Sequence, residues 1–513
     1  MEGGDAVDYL LGIDIGTSGT KTVLFDTEAN TICSKTFEYP LYQEHNGWAE
    51  QDPLDWWNAT VEGIYYVIST SKIDPKQIKG IGLSGQMHGL VMLDSDGKPL
   101  RKSIIWCDQR TGKEVEDMNR ILTPQKIIDI TANPALTGFT AAKILWVKKN
   151  EPEIYKKCAH ILLPKDYIRY MLTGEFATEV SDASGMQLMN VANRDWSDEV
   201  LDAFGIDRGL LGKMYESPDV TGEVHSKAAL ATGLAVGTIV VGGAGDNPAA
   251  AIGTGIVSEG SAFTTIGTSG VVYAISDKVA IDKKGRVHTL CASVPGKWTV
   301  MSCTQAAGLS LQWLRNNVCT EEVQLAKEKS VDPYELMTAM AMEAPIGADK
   351  LIYLPYLMGE RSPHPDPDCR GTFFGLSAIH QKKHLIRSVM EGISYSQLEC
   401  VDVFREMGVS IGDMMICGGG ARSDFWRQMF ADMYDCPVST IQAEQGGALG
   451  VAILAGVGAG IYKDLDETCR KLIVKNKTHQ PINENTQAYM PYYNLYKELY
   501  VTLAAQFKKL SSL

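Results

Sequence analysis

Paired cysteines are the first thing missing from this chain. Its eleven cysteines, from Cys33 to Cys469, are odd in number and show no CxxC or Cys/His spacing. They therefore indicate neither a disulfide framework nor a zinc site, and a reducing cytoplasm is the expected compartment. Positive charge is also scarce. With 48 Lys and Arg against 62 Asp and Glu, the net charge is −14, which argues against a general nucleic-acid surface, since phosphate backbones are held by clustered cations. An anionic ligand must then be captured locally. Long apolar runs are missing too. The uncharged stretch from Ala228 to Gly245 is broken by Gly233, Gly237, Gly242, Gly243 and Gly245, so Ile239-Val240-Val241 reads as a short buried strand ending in a glycine turn, and no membrane span is predicted. Gly446 to Tyr462 reads as a packed helix. Glu2, Asp5 and Asp8 replace the basic start of a secretory leader, and no export is predicted.

What remains is the composition of an ordinary globular protein, 45% hydrophobic and 21% charged, over 513 residues. Single cores stop growing at roughly 250 to 300 residues, so two large domains are expected, placed here at residues 1–254 and 255–513. A repeat supports the division. Ile-Gly-Thr-Ser-Gly occurs at Ile15 to Gly19 and again at Ile266 to Gly270. Each copy follows an apolar run and precedes a β-rich one, which predicts a strand, a glycine turn and a second strand in both halves. Strand-like runs alternate with amphipathic helices, so the fold class is α/β. Asp52 and Pro53 predict a helix start before Trp56. Leu385, Ile386, Val389, Met390 and Ile393 mark a buried helix face, and Leu495 to Phe507 predicts a C-terminal helix.

Glycine at a hairpin tip lets backbone N–H groups converge on an anion, so Thr17, Ser18, Gly267 and Thr268 are candidate phosphate contacts gripping a polyphosphate from both sides. The spacing is not that of a Walker A loop. Asp14, just before the first tip, is a candidate for holding Mg²⁺ against those phosphates, or else a solvated strand-end carboxylate. Asp246 follows the strand ending at Val241. It can accept the proton that a hydroxyl sheds when it attacks phosphorus, or simply favour the positive end of a helix capped by Asn247 with Pro248 next. Gly418-Gly419-Gly420 and Ser423, between the apolar run Met414 to Ile416 and a helix, form a turn suited to a flat ligand such as adenine. Gln86-Met87-His88 places an amide and an imidazole at a turn between two apolar strands, which fits recognition of hydroxyls and carbonyls.

Together these pieces resemble the FGGY carbohydrate kinases, from about Tyr9 to about Gly460. Thr140 to Trp146, continuing to Asn150 and Pro152, is similar to one family signature, and Gly371 to Gly392, with Phe373, Gly375, His384, Ser388 and Glu391, is similar to the other. Trp48 to Pro53 with Trp56-Trp57, Gln86 to Gly89 and Gly245-Asp246-Asn247 resemble the members that act on D-xylulose. The resemblance implies two actin-like (ribonuclease H-like) domains with the active site in the cleft between them, closing around a sugar and Mg-ATP. It implies Asp246 as the base and Asp14 as essential near the metal and phosphates, with Asp14 and Asp246 as the carboxylates on the Mg²⁺ side. Gln86, Met87, His88, Asp108, Asp246 and Asn247 would line the sugar pocket. Thr17, Ser18, Gly267 and Thr268 would hold phosphates, and Gly419, Gly420 and Ser423 the adenosine side. Another ketose or a polyol remains open as the substrate, as does a non-catalytic actin-like ATP switch. Homodimers are frequent among such relatives.

Overall fold

The computed structural model describes residues 7–442 and 446–513; Glu2 and Asp5, part of the acidic start noted above, lie outside the described residues. Two mixed sheets of seven strands dominate the molecule. In the first, Tyr9–Ile15 is central, antiparallel to Gly19–Asp26 on one side and parallel to Ile78–Gly85 on the other. Thr31–Glu38 forms one edge; Ile239–Val241 and then Val220–Glu223 form the other. Ala244–Gly245 adds a short parallel segment to Ile78–Gly85. Tyr9–Ile15 is nearly all apolar because it is covered on both faces, as strands with parallel neighbours usually are.

The second sheet repeats the plan. Gly260–Ile266 is antiparallel to Gly270–Ser276, and that strand to Trp298–Thr304. On its other side Gly260–Ile266 is parallel to Ile411–Cys417, followed by parallel Val438–Ile441 and antiparallel Lys475–His479. His288–Cys291 extends the far edge. The two copies of the pentapeptide thus occupy equivalent hairpin tips, with Ile15 opposite Thr20 and Ile266 opposite Gly270.

The expected helix start at Asp52 is present. Its side chain accepts from the Leu54 N–H and Pro53 opens the helix Pro53–Ser71. The buried face read from Leu385 to Ile393 belongs to the helix Lys382–Glu406, which runs through the core of the second half. The C-terminal helix spans Asn483–Ser511 with Pro491 inside it. Among the described residues, no helix is long and apolar enough to cross a membrane.

Two helices join the halves. Asp246–Gly253 leaves the first sheet, and Gly446–Gly458, late in the chain, packs against both that helix and the first sheet. Glycine makes the fit possible. A Cβ on Gly82 would sit 1.9 Å from the Val451 carbonyl oxygen, and one on Gly450 would sit 1.9 Å from that of Ala249. Backbone meets backbone at these crossings, with no room for a side chain.

Candidate active site

The first hairpin tip is held from below. Gln51 donates to the Thr17 carbonyl at 2.7 Å, and Gln86 donates to Gln51 at 2.7 Å and to the Gly16 carbonyl at 3.4 Å. The Tyr39 hydroxyl also donates to the Gly16 carbonyl. Trp106 donates its indole N–H to the Thr17 hydroxyl at 3.0 Å. Ser18 is left exposed at the tip.

Asp14 lies at the end of its strand beside Ser84. Its carboxyl is raised from the ordinary range by burial, against which the Ser84 hydroxyl and the Lys21 charge pull. One of its oxygens is buried without a hydrogen-bond partner among the described residues. Asp246 opens the helix Asp246–Gly253, with Gly245 rather than Asn247 in the cap position. The helix starts two residues earlier than an Asn247 cap requires, and Asn247 donates its backbone and side-chain N–H groups to one Asp246 oxygen, at 2.6 and 2.9 Å. Asp246 is open to water through the cleft, yet the surrounding protein strips much of its hydration. That loss, with the Asp14 charge adding to it, raises its carboxyl to about 6. A carboxylate at the positive end of a helix, next to a second carboxylate, is poised to take a proton near neutral pH.

Met87 and His88, two of the expected sugar contacts, lie on the turn after Ile78–Gly85. Met87 is buried and packs under Gly245. His88 adopts a left-handed backbone, φ +70°, and stacks on Phe139 with ring centroids 4.3 Å apart. Its Nδ1 is 3.0 Å from the Gly185 carbonyl, which can only accept. The proton is therefore on Nδ1, and Nε2 keeps its lone pair. Burial, with the Lys143 charge, pushes the imidazole down to about 3, so it stays neutral. Lys143 holds the loop by donating to the carbonyls of His88 and Gly138, each at 2.7 Å.

Two other expected sugar contacts are buried. Asp108 is fully buried and has no face in the cleft. Its oxygens accept from the Ala49 N–H at 2.6 Å and from the Arg110 guanidinium at 2.7 Å, which fixes the loop that carries Trp106. Gln86 is 2% exposed; its amide nitrogen serves the hairpin brace described above, while its side-chain oxygen is buried without a hydrogen-bond partner among the described residues. Sequence reading missed Trp106, Phe139 and Lys143. Phe139 and Lys143 flank or fall in the signature beginning at Thr140, and Trp106 ends an apolar run, which is the signal that could have found them.

The second tip faces a cavity of about 700 Å³ whose walls include Gly267, Thr268, Gly419, Gly420 and Ser423. The two turns are locked together, since a Cβ on Gly420 would meet the Ile266 side chain at 2.6 Å. Ser423 caps the helix Asp424–Tyr434 by accepting from the Trp426 N–H. A pocket of this size, with backbone turns and the rings of Phe425 and Trp426 on its wall, suits a flat base with a phosphate tail.

The donor set also fits magnesium. Among the described residues no group of three or more His, Cys, Asp or Glu could hold a metal, whereas Asp14 offers a partnerless oxygen and Asp246 carries the strain of its charge. One or two carboxylates completed by phosphates and water is the usual setting for that ion.

Residues 9–253 match the N-terminal domain model, and residues 262–459 the C-terminal domain model, of the FGGY family of carbohydrate kinases. The chain is 39% identical over 492 residues to a xylulose kinase of Bacillus subtilis (strain 168), covering 96% of both chains. It is 38% identical over 493 residues to a xylulose kinase of Staphylococcus epidermidis, with the same coverage. The crystal structure of xylulose kinase from Rhodospirillum rubrum superimposes with a TM-score of 0.92 at 28% identity, over 98% of this chain and 100% of that one.

Proposed function

Because the chain belongs to the FGGY family of carbohydrate kinases, we propose that it transfers the terminal phosphate of ATP to the C5 hydroxyl of D-xylulose, with Asp246 as general base. The observation that carries this reading is the raised carboxyl of Asp246 at a helix start, facing the cleft beside Asp14. The names of its relatives support the choice of sugar.

The sugar lies along Met87 and His88 with its C5 hydroxyl at Asp246. Residues 1–254 and 255–513 act as the two bodies that close on it. ATP sits in the second-half cavity, its base against Gly419, Gly420 and Ser423, its phosphates between Thr17-Ser18 and Gly267-Thr268. Asp246 takes the hydroxyl proton as the sugar oxygen forms its bond to the γ-phosphorus, and the bond from that phosphorus to the β-phosphate oxygen breaks to release ADP. Asp14, with Asp246 beside it, would hold Mg²⁺, which supplies charge neutralisation to the phosphates. Closure excludes water, a competing acceptor.

Replacing Asp246 by Asn keeps size and removes basicity. Turnover should fall by at least ~10²-fold, the usual contribution of a general base, with nucleotide affinity little changed. Sugar-dependent ADP release by wild type and D246N, measured across a panel of ketoses and polyols, tests both the base and the substrate. Near-normal turnover in D246N would falsify the assignment of the base, and a preference for another sugar would displace D-xylulose.

A further inference from the structure

The second half of the chain contributes one charged group to the sugar side of the cleft that nothing above has used. Arg361 is half-buried, and its guanidinium donates to Nε2 of His288 at 3.2 Å. His288 in turn donates from Nδ1 to the Asn133 side-chain oxygen at 2.9 Å. The Asn133 amide nitrogen is already donating to the carbonyls of Thr131 and Thr289, so its oxygen must accept, and every proton in the chain is fixed. Asn133 belongs to the first half, His288 and Arg361 to the second. The Arg361 backbone is set as well, its N–H held by the Glu360 carboxylate at 2.8 Å. Among the described residues no carboxylate lies within ion-pair distance of this guanidinium.

Arg361 therefore reaches the same wall as His88. The ring of His288 lies 5.7 Å from that of Phe139, on which His88 stacks at 4.3 Å. The Arg361 charge also acts on His88 and on Cys303. A half-buried guanidinium with no carboxylate beside it keeps donors free for a ligand oxygen.

We propose that Arg361 is a specificity-determining residue that donates hydrogen bonds to the carbonyl oxygen of the bound ketose, at the end away from Asp246. The inference rests on the reaction proposed above and deepens it by naming what reads the ketone. Arg361 can only donate, and a carbonyl can only accept. Neutral His88, with its free Nε2, can only accept, and a hydroxyl next to the carbonyl supplies its proton. The pair is complementary to an α-hydroxy ketone. In a polyol, the hydroxyl that replaces the carbonyl must also dispose of its own proton, and His88 is already taken, so one polar group goes unsatisfied.

The test measures kcat/KM of wild type, R361M and R361K for D-xylulose and for the matching polyols, xylitol and D-arabitol, together with ADP affinity and thermal midpoint. R361M should lose roughly 10- to 100-fold with the ketose and less than about 3-fold with the polyols, so that selectivity collapses, while ADP affinity stays unchanged. R361K, which keeps the charge and loses the fork, should fall between and decides the matter if R361M does not fold. Equal losses on ketose and polyol, or a loss of ADP affinity, would overturn the assignment of Arg361 alone. Wild type that phosphorylates polyols as readily as ketoses would overturn this inference and the D-xylulose reading together.

Discussion

Two carboxylates sharing a cleft raise each other's cost of ionisation, and the consequence for Asp246 is a pH dependence with a definite sign. Its carboxyl is pushed up to about 6 by the loss of hydration in the cleft and by the Asp14 charge. The basic form is thus present above that value and lost below it, and kcat/KM for the sugar should fall toward tenfold per unit below about pH 6. His88, held neutral by burial and the nearby Lys143 charge, should add no limb between pH 5 and 8. Changing Asp14 to Asn removes one contributing charge, so the residual activity of D14N should show its acid limb at lower pH. An unmoved limb would assign the limb to another group. At this scale the sequence identified chemistry better than direction. Asp14, Asp246 and His88 could be picked out because their residue types sit at strand ends and turns. Asp108 sits in an equally suggestive place, and although Arg110 is only two residues on, the distant Ala49 N–H that also holds its oxygens leaves no trace in the sequence. The Arg361-His288-Asn133 chain was invisible, because its members are more than seventy residues apart at each step.

Elements carry the site by close packing of backbones and by one buried charge cluster. Where Gly446–Gly458 crosses Asp246–Gly253, a methyl on Gly450 would overlap the Ala249 carbonyl. G450A should therefore cost about 1 to 3 kcal/mol in denaturant unfolding, the usual range for overpacking, or push the helix away and lower turnover. Gly112 is the control. A Cβ there meets nothing within 4 Å, and G112A should be neutral or slightly stabilising because it restricts only the unfolded chain. Under the strand end that carries Gly245, Lys165 and Arg169 are fully buried with Asp166, Glu179 and Asp182. Lys165 lies 2.9 to 3.2 Å from all three carboxylates, and Arg169 donates to the Gly242 carbonyl at 2.6 Å. Replacing Lys165 by Met leaves carboxylates buried without their cation and should cost about 3 to 5 kcal/mol, read as a lowered denaturation midpoint. Helix starts such as Asp52-Pro53 were legible because capping is local. The cluster was not, since Lys165, Asp166, Asp182 and Glu179 each look like ordinary surface residues until the sheet closes over them.

At the scale of the molecule, the repeated pentapeptide announced the architecture, because two equivalent tips require two equivalent sheets. It could not announce how the halves meet. Besides the two helices, a seam of polar contacts docks residues 133–194 of the first half on the second. Ser184 accepts from the Cys291 N–H at 2.9 Å, Trp298 donates to the Val191 carbonyl at 2.8 Å, and Arg194 donates to the Lys297 carbonyl at 2.6 Å. Arg194 also stands over the Trp298 ring at 5.4 Å and pairs with Glu216. If closure is what joins sugar and nucleotide sites, weakening a contact made across the halves shifts the population toward open forms, and each ligand then loses affinity by the same factor. A local defect would instead affect one ligand. Arg194 touches neither proposed site, so R194M should raise the apparent dissociation constants of sugar and nucleotide together, by roughly 3- to 30-fold for a charged hydrogen bond partly rescued by water. Small-angle scattering should show a larger unliganded radius for the variant and equal radii once both ligands are bound. A change confined to one ligand, or parallel radii throughout, would mean that the seam is a fixed pivot and that the halves close about it without breaking it.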